Sequence, residues 1–144
     1  MTLWRARPDK IALLQRVPLF DGLSQKQLAQ ISRLADDVEV PAGKRLATAG
    51  HVGREMFIIV KGEATVRTRQ KRAIRLGPGD FVGEMSLLDG GLRSADVEAV
   101  TPMRLLVVSF RDFWSLLDAA PSLSRKIMQT LSRRLRDAEG GVSA

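Results

Sequence analysis

The residues best suited to chemistry lie in one glycine-rich interval, from Gly79 to Ala95. A compact anion in a partly dry pocket can be held by the free backbone N–H groups of a short helical turn, which Gly83 allows to approach closely. The guanidinium of Arg93 can pair with an anionic oxygen through charge-assisted hydrogen bonds, and the Ser94 hydroxyl can donate another. Glu84 has the complementary task, because its carboxylate can accept from a hydroxyl of the same ligand.

A block of short strands between helices must position this interval. The apolar spacing predicts a helical pair over 9–36, short strands joined by turns over 38–109, and helices over 110–139. Ser24 is expected to open the second helix and Ser122 to cap the last one. The residues expected to form the core beneath this glycine-rich interval are Phe113, Trp114 and Leu117. This order predicts a mainly β protein, a jelly-roll or barrel with flanking helices.

Composition argues against several classes of protein. The 144 residues contain no cysteine, so neither a disulfide framework nor a thiolate metal site can form. His51 is the only histidine, which leaves no histidine-based metal site and no nucleophilic triad. No apolar run approaches the roughly 18 residues of a membrane helix, and the amino terminus lacks the apolar segment of a secretory signal. We therefore expect a single cytoplasmic domain, 1–144, without metal, cofactor or membrane contact.

The net charge of +7 could serve nucleic acid, an anionic membrane surface or a small phosphorylated ligand. Much of the excess lies in two runs, 67–75 and 125–136. We interpret them as a solvated hairpin tip and a solvated helix face, and expect no nucleic-acid partner. A nucleic-acid binder using Lys71, Arg72 and the cations of the final helix is an alternative, which a salt-sensitive gel shift would reveal.

The segment from Phe81 to Ala95 resembles the phosphate-binding cassette of cyclic-nucleotide-binding domains, found in CRP-type regulators and in bacterial cyclic-nucleotide-gated channels. That cassette opens with Phe-x-Gly-Glu, an aliphatic residue, a small residue and Leu, and closes with Arg, then Ser, Thr or Ala, then Ala. The matching residues are Phe81, Gly83, Glu84, Met85, Ser86, Leu87, Arg93, Ser94 and Ala95. Further landmarks of the family follow in order at Val17–Phe20, Pro41–Gly43, Met56–Gly62 and Gly77–Asp80.

The resemblance implies a β jelly-roll (double-stranded β-helix) with amino-terminal helices, a cassette at 81–95 and a carboxy-terminal two-helix lid. It implies a non-catalytic sensor that binds cAMP, with cGMP less favoured, and whose output is closure of the final helix. By similarity, phosphate and ribose would be bound by Gly83, Glu84, Met85, Ser86, Arg93 and Ser94. The purine would lie on Val66 and on Ala73 or Ile74, and would be covered by Arg134. The alternative for Arg134 is that its side chain is exposed to solvent and contacts no base.

The resemblance leaves the downstream role open. The final helix would contact an effector protein or another domain of a larger parent protein, and it is short for a dimerising coiled coil, so we expect a monomer. Two further alternatives are a ligand-free interaction module of the same fold, indicated by a displaced Arg93, and a haem or gas sensor. The lone His51 argues against the haem or gas sensor, and an absorption spectrum tests it.

Overall fold

A computed structural model describes residues 8–68 and 71–138. Within them, eight strands form two four-stranded antiparallel sheets, with helices before, between and after the strands. The helices are α1 (Pro8–Gln15), α2 (Gln25–Leu34), α3 (Glu84–Asp89), α4 (Phe110–Ala119) and α5 (Pro121–Ala138), with a 3₁₀ turn at Pro18–Phe20. The strands are β1 (Asp36–Val40), β2 (Arg45–Ala47), β3 (Glu55–Lys61), β4 (Ala64–Thr68), β5 (Ala73–Leu76), β6 (Phe81–Val82), β7 (Ala95–Ala99) and β8 (Met103–Ser109).

The strand order is β1-β8-β3-β6 in the first sheet and β2-β7-β4-β5 in the second. This arrangement confirms the predicted jelly-roll-like fold with flanking helices. The central strands β3 and β8 of the first sheet are covered on both faces, which explains their consecutive apolar residues. Ile58 and Leu106 face the helices, whereas Ile59 and Leu105 face the second sheet.

Two predicted helix boundaries were wrong. Strand β1 begins at Asp36, inside the segment predicted to be helical, because Ala35 is already extended after α2. Helix α5 begins at Pro121, so Ser122 lies in its first turn and does not cap it; the fixed φ of proline suits that first position. The predicted end of the last helix at 139 lies outside the described residues.

The core prediction for α4 holds for two of three residues. Phe113 is fully buried and Leu117 packs against the same cluster of apolar side chains. Trp114 is 44% exposed, so its assignment to the core was wrong. Its ring meets Phe113 edge to face, and the rest of the indole is open to solvent.

The first half of α5 is fixed to the body of the domain. Leu123 and Ile127 are buried in the helix-side core. The Lys126 ammonium donates to the carbonyl oxygens of Leu19 at 3.2 Å and Asp21 at 2.7 Å, beside the 3₁₀ turn. Apolar packing and these hydrogen bonds hold this half independently of anything bound near its carboxy end.

Ser24 begins α2 through a reciprocal pair of hydrogen bonds. Its hydroxyl accepts from the Gln27 backbone N–H at 3.1 Å, and the Gln27 side chain accepts from the Ser24 N–H at 3.0 Å. We expect Ser24→Ala to lower the free energy of unfolding by about 1 kcal/mol in urea denaturation. Ser115→Ala, at an exposed site within α4, is the control, and equal midpoints for the two variants would show that the cap contributes nothing.

None of the helices in the described part of the chain is long and apolar enough to cross a membrane. The cytoplasmic location stays a prediction.

Candidate functional site

The backbone of Arg93 is fixed against the loop that joins β2 to β3. Its N–H donates to the His51 carbonyl at 2.8 Å, and its own carbonyl accepts from the Gly50 N–H at 2.9 Å. The neighbouring residues Val52 and Leu92 form a β-bridge. The loop between β2 and β3 therefore fixes the backbone position from which the Arg93 side chain extends.

The guanidinium of Arg93 is buried without a counter-ion. The residue is only 7% exposed; Nη2 donates to the Glu55 carbonyl at 2.7 Å and Nη1 to the Gly83 carbonyl at 3.2 Å. The Phe57 ring lies on one side, 5.9 Å from the guanidinium carbon to the ring centre. Among the described residues, no carboxylate oxygen lies within ion-pair distance of this cation. Burial lowers the pKa of Arg93 and the charges of Glu55 and Glu84 oppose that change, and an arginine stays protonated at neutral pH.

Gly83 allows the cassette helix to start against this arginine. Its φ of +93° is in the left-handed region, and α3 begins at the next residue. A Cβ at Gly83 would lie 2.5 Å from Arg93 Nη1 and 2.8 Å from the Glu55 carbonyl oxygen. Both the backbone conformation and the lack of space therefore require glycine.

Glu84 and Arg134 form an ion pair across the site. The Glu84 side chain is 4% exposed; its Oε1 accepts from Arg134 Nη1 at 3.2 Å and its Oε2 from the Met85 N–H at 3.2 Å. Arg134 also donates to the Phe81 carbonyl at 2.7 Å, and its guanidinium carbon lies 4.8 Å from the centre of the Phe81 ring. Burial raises the pKa of Glu84, and the charge of Arg134 opposes that rise.

The carboxy-terminal half of α5 spans from the cassette to the basic hairpin. Arg134 of α5 binds Glu84 at the start of α3. Farther along α5, the Asp137 carbonyl accepts from the Arg72 guanidinium at 3.4 Å. Arg72 belongs to the turn between β4 and β5. The helix therefore lies over the space between the cassette and that hairpin.

Residues 37–120 match the family model described as the cyclic nucleotide-binding domain. The chain belongs to that family. It is 39% identical, over 85% of its length and 34% of the relative's, to a cyclic nucleotide-gated potassium channel of Rhizobium etli. It is 34% identical to the solved catabolite activator protein of Thermus thermophilus, with a TM-score of 0.75, over 85% of this chain and 60% of that one.

A second solved structure shows a nucleoside bound to a protein of similar fold. It is the regulatory subunit of a cAMP-independent protein kinase A from Trypanosoma cruzi, bound to guanosine. That protein is 25% identical, with a TM-score of 0.71, over 82% of this chain and 43% of its own. The domain thus spans about a third of the channel's length and about three fifths of the regulator's.

The strand register of the cyclic nucleotide-binding domain distinguishes the two candidates for the base platform. Ile74 pairs with Val66, so the two side chains share the face that packs toward Val97. Ala73 pairs with the exposed Arg67 and therefore lies on the opposite face. Val66 and Ile74 therefore share one face of the sheet and Ala73 lies on the other; the contact of any of the three with a base stays a prediction.

The remaining cassette residues lie at different places around α3. Ser86 is buried on the far side of the helix from Glu84, because two residues turn an α-helix by about 200°. It borders an open cavity of about 670 Å³ behind the cassette, toward Arg54 and Phe110. Met85 is half exposed, and Ser94 is exposed beside Arg93. The Ser86 side chain therefore points away from the Glu84 side chain, and its contact with a ligand stays a prediction.

Several parts of the site have no signal in the sequence. The Glu55 and Phe81 carbonyls are backbone atoms that any residue could supply, and Phe57 belongs to an apolar run whose pattern indicates core. No cluster of histidine, aspartate and glutamate in the described residues could hold a metal ion.

Proposed function

We propose that this cyclic nucleotide-binding domain is a cAMP sensor, with the cyclic phosphate paired to Arg93. The observation that carries the proposal is a buried guanidinium with two backbone carbonyls and no carboxylate in its first contacts among the described residues. A buried cation that touches no carboxylate is unfavourable even with Glu55 and Glu84 nearby, and an anionic ligand in contact with it lowers that cost on binding. A nucleoside such as guanosine carries no such anion, so it would leave the charge of Arg93 unpaired.

The second support is the pair of groups on the ribose side. Glu84 keeps its carboxylate beside the start of α3, and a carboxylate has enough lone pairs to accept from a ribose 2′-hydroxyl while Arg134 stays bound. Selection of ribose over 2′-deoxyribose would follow, because the deoxy ligand leaves that buried acceptor unpaired. Arg134 would stack on a purine that rests on Val66 and Ile74.

The preference for cAMP over cGMP rests on similarity to one relative. The regulator of Thermus thermophilus, 34% identical to this chain, is named a cyclic AMP receptor protein. Ser94 does not decide between the two ligands, because its hydroxyl can donate to a phosphate oxygen with either base and could also meet a syn guanine. The ranking is tested directly by comparing the two ligands.

Binding is the whole activity in this proposal, and the output is mechanical. Domains of this family are regulatory, and a ligand that favours the closed final helix shifts the population toward that state. Because the relatives that match are longer, α5 would act on another domain of a parent protein or on a separate effector. The domain itself would act as a monomer, without a cofactor and without nucleic acid.

We expect titration calorimetry to give a dissociation constant for cAMP of about 1 µM or tighter, and weaker binding of cGMP. Cyclic dinucleotides, adenosine and guanosine complete the series, and the two nucleosides should bind worst because they lack the phosphate. Absence of heat with every cyclic nucleotide at about 100 µM would overturn the proposal. Tight binding of guanosine would instead identify a nucleoside sensor.

A further inference from the structure

Gly53 lies in the loop between β2 and β3, and its backbone conformation does not require glycine. Its φ is not among the positive values, so any residue could adopt its conformation. What requires glycine is space: a Cβ there would lie 2.6 Å from Ser86 Cβ and 2.8 Å from Arg93 Nε. Real Cβ atoms do not approach other atoms this closely, so a side chain at 53 would have to move one of these neighbours.

Neither neighbour can move freely. The Arg93 guanidinium is held at its other two nitrogens by the Glu55 and Gly83 carbonyls. Ser86 is 4% exposed within the short helix α3. A methyl group at position 53 would therefore press on the Nε edge of a side chain that is fixed at its opposite end.

That edge is the part of the arginine without a hydrogen-bond acceptor. Arg93 Nη1 and Nη2 donate to carbonyls, and Nε has no acceptor among the described residues. No fully buried side-chain nitrogen or oxygen among those residues lacks a partner, so Nε keeps some exposed surface. A donor that is both unpaired and reachable is suited to an anionic oxygen.

We propose that Gly53 is a positioning residue of the phosphate site: by its lack of a side chain it sets the place of the Arg93 guanidinium and keeps Nε uncovered. The identity of the ligand in this inference rests on the proposed function. The claim that Gly53 leaves room for the Arg93 side chain does not. A residue of the loop between β2 and β3, outside the cassette, would thus position the guanidinium of Arg93 within the cassette.

Calorimetry with cAMP on Gly53→Ala tests the binding consequence. We expect the affinity to fall about fivefold or more, because the guanidinium is displaced and its free edge is covered. Gly77→Ala is the matched control, since Gly77 has no positive φ and a methyl group there would meet nothing within 4 Å. It should bind within about twofold of the unchanged protein.

Two measurements show whether the effect passes through Arg93. In the ligand-free protein, the Nε–H resonance of Arg93 should move or broaden in Gly53→Ala and stay in place in Gly77→Ala. In thermal unfolding, Gly53→Ala should cost less stability in an Arg93→Ala background than alone, because one of the two groups that the methyl would press on is gone. This second comparison uses no ligand, and a lowered unfolding temperature of Gly53→Ala does not prevent it.

The outcomes separate the inference from the proposed function. If the unchanged protein ignores cAMP, the function fails, and the resonance and unfolding data still decide the role of Gly53. If the unchanged protein binds cAMP and Gly53→Ala binds it equally well, the inference alone is overturned. Equal stability costs with and without Arg93 would overturn it as well.

Discussion

Arg93→Ala should weaken cAMP binding about 100-fold or more, beyond the loss caused by any other single substitution in the cassette. The arginine is the only buried cation in contact with the start of α3 that has no carboxylate partner among the described residues. Removing it leaves the phosphate charge in a partly dry site without its counter-ion, and breaking a buried pair in this way costs about 3–5 kcal/mol.

Glu84→Ala should weaken binding less than Arg93→Ala, because it leaves only a hydroxyl without its acceptor. Arg93→Lys should fall between the unchanged protein and Arg93→Ala, since lysine keeps the charge and loses the planar fork. Arg33→Ala, at an exposed position in the last turn of α2, is the control for a general loss of positive charge. A titration in which Glu84→Ala binds worse than Arg93→Ala would contradict the roles assigned here.

The parts of this domain that were predictable are those that depend on neighbours in sequence. The Ser24–Gln27 box is a four-residue pattern, and both ends of the cassette motif fall within the short segment from Phe81 to Ala95. The start of α5 was misplaced by two residues, because a serine cap at Ser122 and a proline at the first helical position, Pro121, are both good local signals. The consecutive apolar residues of β3 and β8 indicated buried strands but not which layer each side chain faces.

The parts that could not be predicted depend on contacts between distant segments. Glu84 and Arg134 are 50 residues apart, and their ion pair exists only because α5 crosses the cassette. Trp114 was expected in the core with Phe113, but neighbouring residues of a helix point about 100° apart, and only the packing of α4 shows that Phe113 faces inward and Trp114 is half exposed. Gly53 has no special φ, so only the approach of Ser86 and Arg93 reveals why it is glycine.

Truncating the chain after Ser132 should weaken cAMP binding about tenfold or more while leaving the strand block folded. The first half of α5 keeps its own anchors, the buried Leu123 and Ile127 and the bonds of Lys126, so the truncation removes the lid contact without removing the helix. What is lost is Arg134, with its bonds to Glu84 and to the Phe81 carbonyl. A chain ending at Ala138 is the matched control, because it keeps Arg134.

The loss should come from the base and the ribose and not from the phosphate. A ribose cyclic phosphate without the purine should bind the full-length and truncated proteins almost equally, because both keep Gly83 and Arg93. Amides from 124 to 137 should exchange more slowly when cAMP is added to the full-length protein, as a closing lid requires. Unchanged exchange together with unchanged affinity after truncation would mean that α5 is a static part of the fold.

The single substitution Arg134→Ala adds a dependence on pH whose sign is fixed by Glu84. Burial raises the pKa of Glu84 and Arg134 opposes the rise, so without Arg134 the carboxyl takes up its proton at a higher pH. Protonation weakens it as an acceptor for the 2′-hydroxyl, so the cAMP affinity of Arg134→Ala should fall more steeply than that of the unchanged protein between about pH 7 and pH 5. Adding Glu84→Gln should remove this difference in slope, since the amide does not titrate. Parallel pH profiles for Arg134→Ala and the unchanged protein would show that Arg134 does not keep Glu84 ionised.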